Sequence, residues 1–173
     1  MSPLQNMLDA PYIRRTRRNH GLEHATIHVM AKRVPNLRIA GRSDDNGFWL
    51  WGDVPTEQVE QAARLALKRM QHGEHQLAVH PNCGTNLLTT AFLGAGAVML
   101  ALVGSEKEKN GKFNRLPLVV MGLMMAIIVG QPLGARIQRE VTTLGNPGDL
   151  EILSVERRDT FGMTAHRVTT RST

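Results

Sequence analysis

Two long apolar runs limit what this chain can fold into. Residues 75–105 contain no Asp, Glu, Lys or Arg, and within them NLLTTAFLGAGAVMLALVG is almost unbroken apolar sequence. Residues 116–135, LPLVVMGLMMAIIVGQPLGA, repeat the pattern. At the rise of an α-helix each run makes a rod of roughly 27–30 Å, close to the hydrocarbon thickness of a bilayer. A chain of 173 residues offers little protein with which to wrap two such helices in a soluble core. The runs therefore predict two membrane spans, at about 86–104 and 116–134. The first 30 residues hold no apolar core segment, so neither span reads as a signal peptide.

The linker EKEKNGKFNR is short and polar, which predicts an antiparallel hairpin with both termini on one side. Gly94, Gly96, Gly104, Gly122 and the pairs Ala91/Ala95 and Gly130/Gly134 would permit close helix contact. The linker carries Lys107, Lys109, Lys112 and Arg115, while Arg136 and Arg139 follow the second span. Most other basic residues sit in the two polar parts, so the termini and the polar domain are expected in the cytoplasm, with the hairpin in the cell membrane.

Residues 1–85 have the rhythm of a small mixed helix and strand unit. NHGLEHATIHVMAKR, at 19–33, reads as a helix stopped before Pro35. LRIA and GFWLWG read as short strands joined through GRSDDNG, with Asn46-Gly47 as the turn dipeptide. Thr56 is placed to cap a helix whose Val59, Ala62, Ala63, Ala66 and Met70 recur at helical spacing, ending at Gly73. HQLAVH reads as a further strand. In residues 136–173, DLEILSVERR and GMTAHRVTTR suggest a hairpin that joins the same sheet. The expected fold is α+β: a small domain with a two-helix transmembrane hairpin, 86–135, inserted before a C-terminal β-hairpin.

Histidine placement points to chemistry. Six of the seven His residues precede the first span, leaving only His166 beyond it. One cysteine excludes an intrachain disulfide and the cysteine-rich zinc sites. His20 and His24 lie one helical turn apart, on one face, with Glu23 beside them. Two imidazoles supply borderline nitrogen ligands suited to Zn2+ or another divalent metal, and a neighbouring carboxylate can accept a proton from water that the ion acidifies. A third ligand is needed. His80 or Glu74 is preferred, and His28, His75 and Cys83 are alternatives or supports; three histidines at successive four-residue steps drift about 40° per step and converge imperfectly on one ion.

The segment His20-Gly21-Leu22-Glu23-His24 resembles the HxxEH helix of inverted-motif zinc metallopeptidases. That resemblance implies that His20 and His24 bind zinc and that Glu23 activates water. Those peptidases take an acidic third ligand about 75 residues downstream, where this chain has the first apolar run. More broadly, HGLEHAxxH followed by GRSxxxGFxxxG, a helix and a two-span hairpin resembles a family of uncharacterised bacterial membrane proteins. That wider resemblance implies the layout of the chain and no particular reaction.

The net charge of +6 and the sequence pI of about 10.2 invite a nucleic-acid reading. No RNA-binding sheet motif or recognition helix accompanies them, so no specific nucleic acid is expected. Arg14, Arg15, Arg17 and Arg18, with Trp49 and Trp51, are expected to meet an anionic lipid surface. Two functions follow: a membrane-attached zinc hydrolase acting on a peptide or membrane-protein substrate, or a non-catalytic accessory subunit of an oligomer or larger membrane complex with a structural metal or histidine cluster.

Overall fold

The computed structural model describes residues 3–104, 111–160 and 162–173. Lys107 and Lys109 lie outside the described residues. The chain divides into two compact units: Met1–His80 with Arg139–Thr173, and Pro81–Gln138.

The first unit contains helices α1 (Pro3–Leu8), α2 (Pro11–Ala31) and α3 (Thr56–Gln71), with strands β1 (Ala40–Asp44), β2 (Gly47–Trp51), β3 (Glu151–Arg157) and β4 (Ala165–Arg171). The strands form one antiparallel sheet in the order β1-β2-β4-β3. The C-terminal hairpin therefore joins the sheet through β4 against β2, with Leu50 opposite His166. Alternation along β2 sends Phe48 and Leu50 into the core and Trp49 and Trp51 to the other face. The core fills with Leu22, Ala25, Val29 and Met30 from α2 and Val59, Ala62, Ala63, Ala66 and Met70 from α3. Burying a side chain such as Phe48 or Leu50 completely contributes about 1.5–3 kcal/mol.

Three local expectations are corrected. The first strand begins at Ala40, where LRIA ends, and runs through GRSD; the turn is Asp45-Asn46, and Gly47 opens β2 at φ 142°. Asp44 accepts from the Asn46 backbone N–H at 2.9 Å, which fixes the reversal there. HQLAVH forms no strand: after Gly73 reverses the chain at φ 96°, His75–Ala78 closes a single 3₁₀ turn that buries Leu77 and Ala78. Thr56 makes no capping bond, and Pro55 holds the position before α3.

The second unit is a pair of helices, α4 (Gly84–Leu102) and α6 (Leu116–Ile137), with the short α5 (Gly111–Asn114) between them. Small residues meet across the pair. A side chain at Gly94 would touch Leu123 and Ala126, one at Gly122 would touch Ala97, and Gly130 and Gly134 abut Thr90 and Asn86. These contacts step in opposite directions along the two helices, the register of an antiparallel hairpin. Gly96 and Gly104 meet nothing within 4 Å, so they take no part in it. Buried Gln138 donates to Asn86 at 2.6 Å. Large apolar side chains point outward, with Phe92, Met99 and Leu100 all more than two-thirds exposed at 71, 72 and 77%. Both helices are long and apolar enough to cross a bilayer.

His166 is fully buried, and burial holds its imidazole below the usual histidine value, against opposing bonds to the backbone at Val54 and Gly52. An unfolded histidine protonates near pH 6.5. Below that pH the unfolded chain takes up a proton that the folded unit refuses, so stability is present above about pH 6.5 and falls as the pH drops through it. Both tryptophans of the chain lie on β2, so their fluorescence reports on this unit. Urea midpoints of the metal-free protein should fall on acidification below about pH 6.5, and His166→Gln should reduce that dependence, leaving the share that His80 contributes.

Candidate metal centre

Helix α2 carries the centre. His20 and His24 sit one turn apart with ring centroids separated by 4.4 Å. Each ring has a nitrogen opposite a backbone carbonyl from a different segment. His20 Nδ1 lies 2.9 Å from the Thr142 oxygen, and His24 Nδ1 lies 2.7 Å from the Ala78 oxygen. A carbonyl only accepts, so Nδ1 carries the proton in both rings and the lone pair falls on Nε2. The same arrangement orients metal-binding histidines generally: one ring nitrogen is bonded to the protein and the other is turned to the ion.

Gly21 makes these contacts possible. A Cβ there would stand 2.6 Å from the Leu144 oxygen and 3.2 Å from the Ala78 side chain. Residues 142–144 and 78 therefore close on the helix at the one position without a side chain. The approach is reinforced from the preceding turn. Buried Arg17 donates to the carbonyls of Glu140 at 3.0 Å and Thr143 at 3.3 Å, and the Leu144 N–H donates back to the Arg17 carbonyl at 2.9 Å.

Glu23 is 4% exposed and accepts from the Ser43 hydroxyl at 2.5 Å. Burial pushes its carboxyl above the usual carboxylate range, against the pull of the Ser43 bond and of nearby His20. Gly41, two residues before Ser43 on β1, is pressed against the same carboxylate, and a Cβ there would collide with it. The sequence pattern assigns both Ser43 and Gly41 to a turn. Their common side of a strand is legible only once β1 is paired in its true register.

Of the candidates for a third ligand, the unit brings His80 close, with its ring 5.8 Å from that of His24 and 4.7 Å from that of His28. Burial, then the neighbouring His28 and His24, push His80 down to about 4, so it is neutral at physiological pH. Glu74 does not join: it is held in a two-point ion pair by Arg69, with Nε 2.8 Å from Oε1. His75 is exposed on the 3₁₀ turn. Cys83 belongs to the second unit, where it caps the start of α4 by accepting from the Thr85 N–H.

The basic segment divides. Arg17 is buried in the contacts above, and Arg18 is paired with the exposed Asp149 at 2.6 Å and donates to the Thr173 carbonyl at the surface of the unit. Arg14 and Arg15 remain half-exposed, with Arg15 3.8 Å from Asp45. Trp49 and Trp51 stack at 6.1 Å on the outer face of β2. The Arg167 guanidinium lies 5.3 Å from the centre of the Trp49 ring while it bonds both Asp44 carboxylate oxygens.

Fold and site together define a two-part chain, an α+β unit bearing paired histidines and a hairpin of apolar helices. The chain belongs to the family described as a domain of unknown function, DUF6391, whose pattern matches residues 15–155. It is 32% identical over 164 residues to an uncharacterised protein of Picosynechococcus sp., an alignment that covers 88% of this chain and 77% of that one. No solved structure matches it.

Gly→Ala inside a helix ordinarily stabilises by about 1 kcal/mol. At Gly21 the sign should reverse, because the new methyl group meets a backbone oxygen and must displace residues 142–144; a loss of about 1–3 kcal/mol is expected. Urea unfolding of Gly21→Ala followed by tryptophan fluorescence measures it, and a stabilised variant would contradict the close packing.

Proposed function

We propose that this protein is a membrane-attached, zinc-dependent hydrolase, a peptidase of chains that lie near the bilayer surface. The observation that carries the reading is the double lock on the histidines: two separate backbone segments hold Nδ1 of His20 and of His24, so two Nε2 lone pairs are presented from one helix turn with a buried carboxyl beside them. These donors fit a borderline divalent ion. When bound, zinc supplies Lewis acidity, which acidifies water and polarises a carbonyl.

The chain's own residues then account for the proton. Glu23 accepts it from the attacking water as the new C–O bond forms, and returns it to the departing amine as the C–N bond breaks. A carboxyl raised above the usual carboxylate range by burial is suited to both steps. Ser43 holds that carboxyl in one orientation. The exposed apolar surface of α4 and α6 supports placing the hairpin in the cell membrane, and the excess of basic residues in the polar parts supports a cytoplasmic α+β unit. Arg14, Arg15, Trp49 and Trp51 are its proposed contacts with anionic headgroups.

One observation favours an accessory subunit with a structural metal instead: Glu23 and His24 are only 4% and 2% exposed, which leaves a substrate little access. Glu23→Gln separates the two. For a hydrolase, quenched-peptide cleavage by the detergent-solubilised protein should fall by about 10²–10⁴-fold while zinc content by elemental analysis stays constant. Zinc retention without cleavage in the wild type, together with copurification in a larger complex, would establish the accessory role. His20→Ala with His24→Ala should lose the chelator-resistant zinc in either case.

A further inference from the structure

His28 continues the row of histidines on α2, yet its ring is set differently. Its Nε2 lies 2.8 Å from the Val79 carbonyl, so Nε2 carries the proton and the lone pair falls on Nδ1. His24, one turn earlier, has the opposite arrangement, with Nδ1 protonated against the Ala78 carbonyl. Successive carbonyls of residues 78 and 79 thus hold successive histidines in opposite tautomers. Added to the angular drift along a helix, this turns the His28 lone pair away from the one its neighbour shares with His20.

The partner for His28 is His80. Two imidazoles bound to one tetrahedral zinc at Zn–N distances of about 2.0–2.1 Å hold their centroids roughly 5 Å apart. The His28 and His80 centroids lie 4.7 Å apart and their planes meet at 53°, comparable with the 4.4 Å and 60° of His20 and His24. The His24 to His80 separation, 5.8 Å, is the widest of the three. Both His28 and His80 are half-buried rather than enclosed, so hydrated ions reach them.

We propose that His28 and His80 form a second binding site for a borderline divalent cation such as Zn(II), Ni(II) or Cu(II), distinct from the pair His20 and His24. With both rings half-buried and the remaining positions filled by water, this ion exchanges readily, whereas the ion at the first pair, beside the buried His24 and Glu23, is retained. The site stands whether or not Glu23 performs hydrolysis; its place as the second rests on His20 and His24 holding the first.

The test counts ions on the full chain in detergent micelles equilibrated with Zn(II). Wild type should hold two zinc ions per chain, one of them removed by a weak chelator. His28→Gln with His80→Gln should hold one, retained against the chelator; the glutamine amide introduced on α2 keeps an N–H for the Val79 carbonyl, so the packing is preserved. His20→Ala with His24→Ala should hold one, and lose it to the chelator. A measurement on the unmutated chain guards against misfolding: the second equivalent of Cu(II) should give an electron paramagnetic resonance spectrum with hyperfine structure from two imidazole nitrogens. A single ion that survives His28→Gln with His80→Gln overturns the second site and leaves the first. A single ion lost only in that variant leaves the His28/His80 site and overturns the first. Absence of any bound ion overturns both.

Discussion

The close approach of two backbone segments to helix α2 at Gly21 is the constraint on which the candidate centre depends. The Leu144 carbonyl and the Ala78 side chain occupy the space a Cβ would need. Because they are that close, the carbonyls of Thr142 and Ala78 come within hydrogen-bonding distance of His20 and His24. Arg17 adds bonds to the carbonyls of Glu140 and Thr143, so the segment after α6 is held to the helix on both sides of the glycine. A glycine inside a helix costs local stability. Here the cost is offset by contacts that no larger residue would allow.

The chemistry of the centre is set by this backbone packing more than by the ligand types. Imidazoles on one helix face are free to rotate and to change tautomer unless something fixes them. At His20 and His24 the fixing groups select Nε2, and at His28 a neighbouring carbonyl selects Nδ1. Three histidines at equal spacing therefore fall into two sets. Glu23 is governed in the same way from the sheet: Gly41 and Ser43 on β1 close over its carboxyl, one by lacking a side chain and the other by donating a hydroxyl.

Much of the architecture is legible in the sequence because it follows from periodicity. The apolar face of α3, the inward residues Phe48 and Leu50, the C-terminal hairpin and the two apolar helices all follow from spacing alone. Where tertiary pairing decides the outcome, the local pattern misleads. GRSD has few strand-forming residues and reads as turn, but pairing with β2 draws it into the sheet and carries Ser43 to Glu23. HQLAVH alternates like a strand, but the reversal at Gly73 commits it to a tight turn. The pair His20 and His24 is visible from a five-residue motif. The Thr142 and Ala78 carbonyls that orient them are not, since every residue has a carbonyl and nothing in a sequence marks the one that will be used. Glu74 has the right chemistry for a ligand but also an arginine, Arg69, five residues away that captures it.

In the second unit the same logic of small residues operates with the opposite polarity of surface. Gly94, Gly122, Gly130 and Gly134 let the two helices touch, and the bulky apolar side chains face outward. The candidate centre turns on the locked tautomers of α2, and these are directly observable. Long-range 1H–15N correlation spectra of the full chain in micelles, with 15N-labelled histidine assigned by single substitutions and recorded with and without Zn(II), report which nitrogen of each ring is protonated and which is metallated. The structure predicts protonated Nδ1 for both His20 and His24, and the proposed zinc centre predicts that zinc shifts their Nε2 resonances. Coordination through Nδ1, or resonances of these two rings that zinc leaves unchanged, would contradict it.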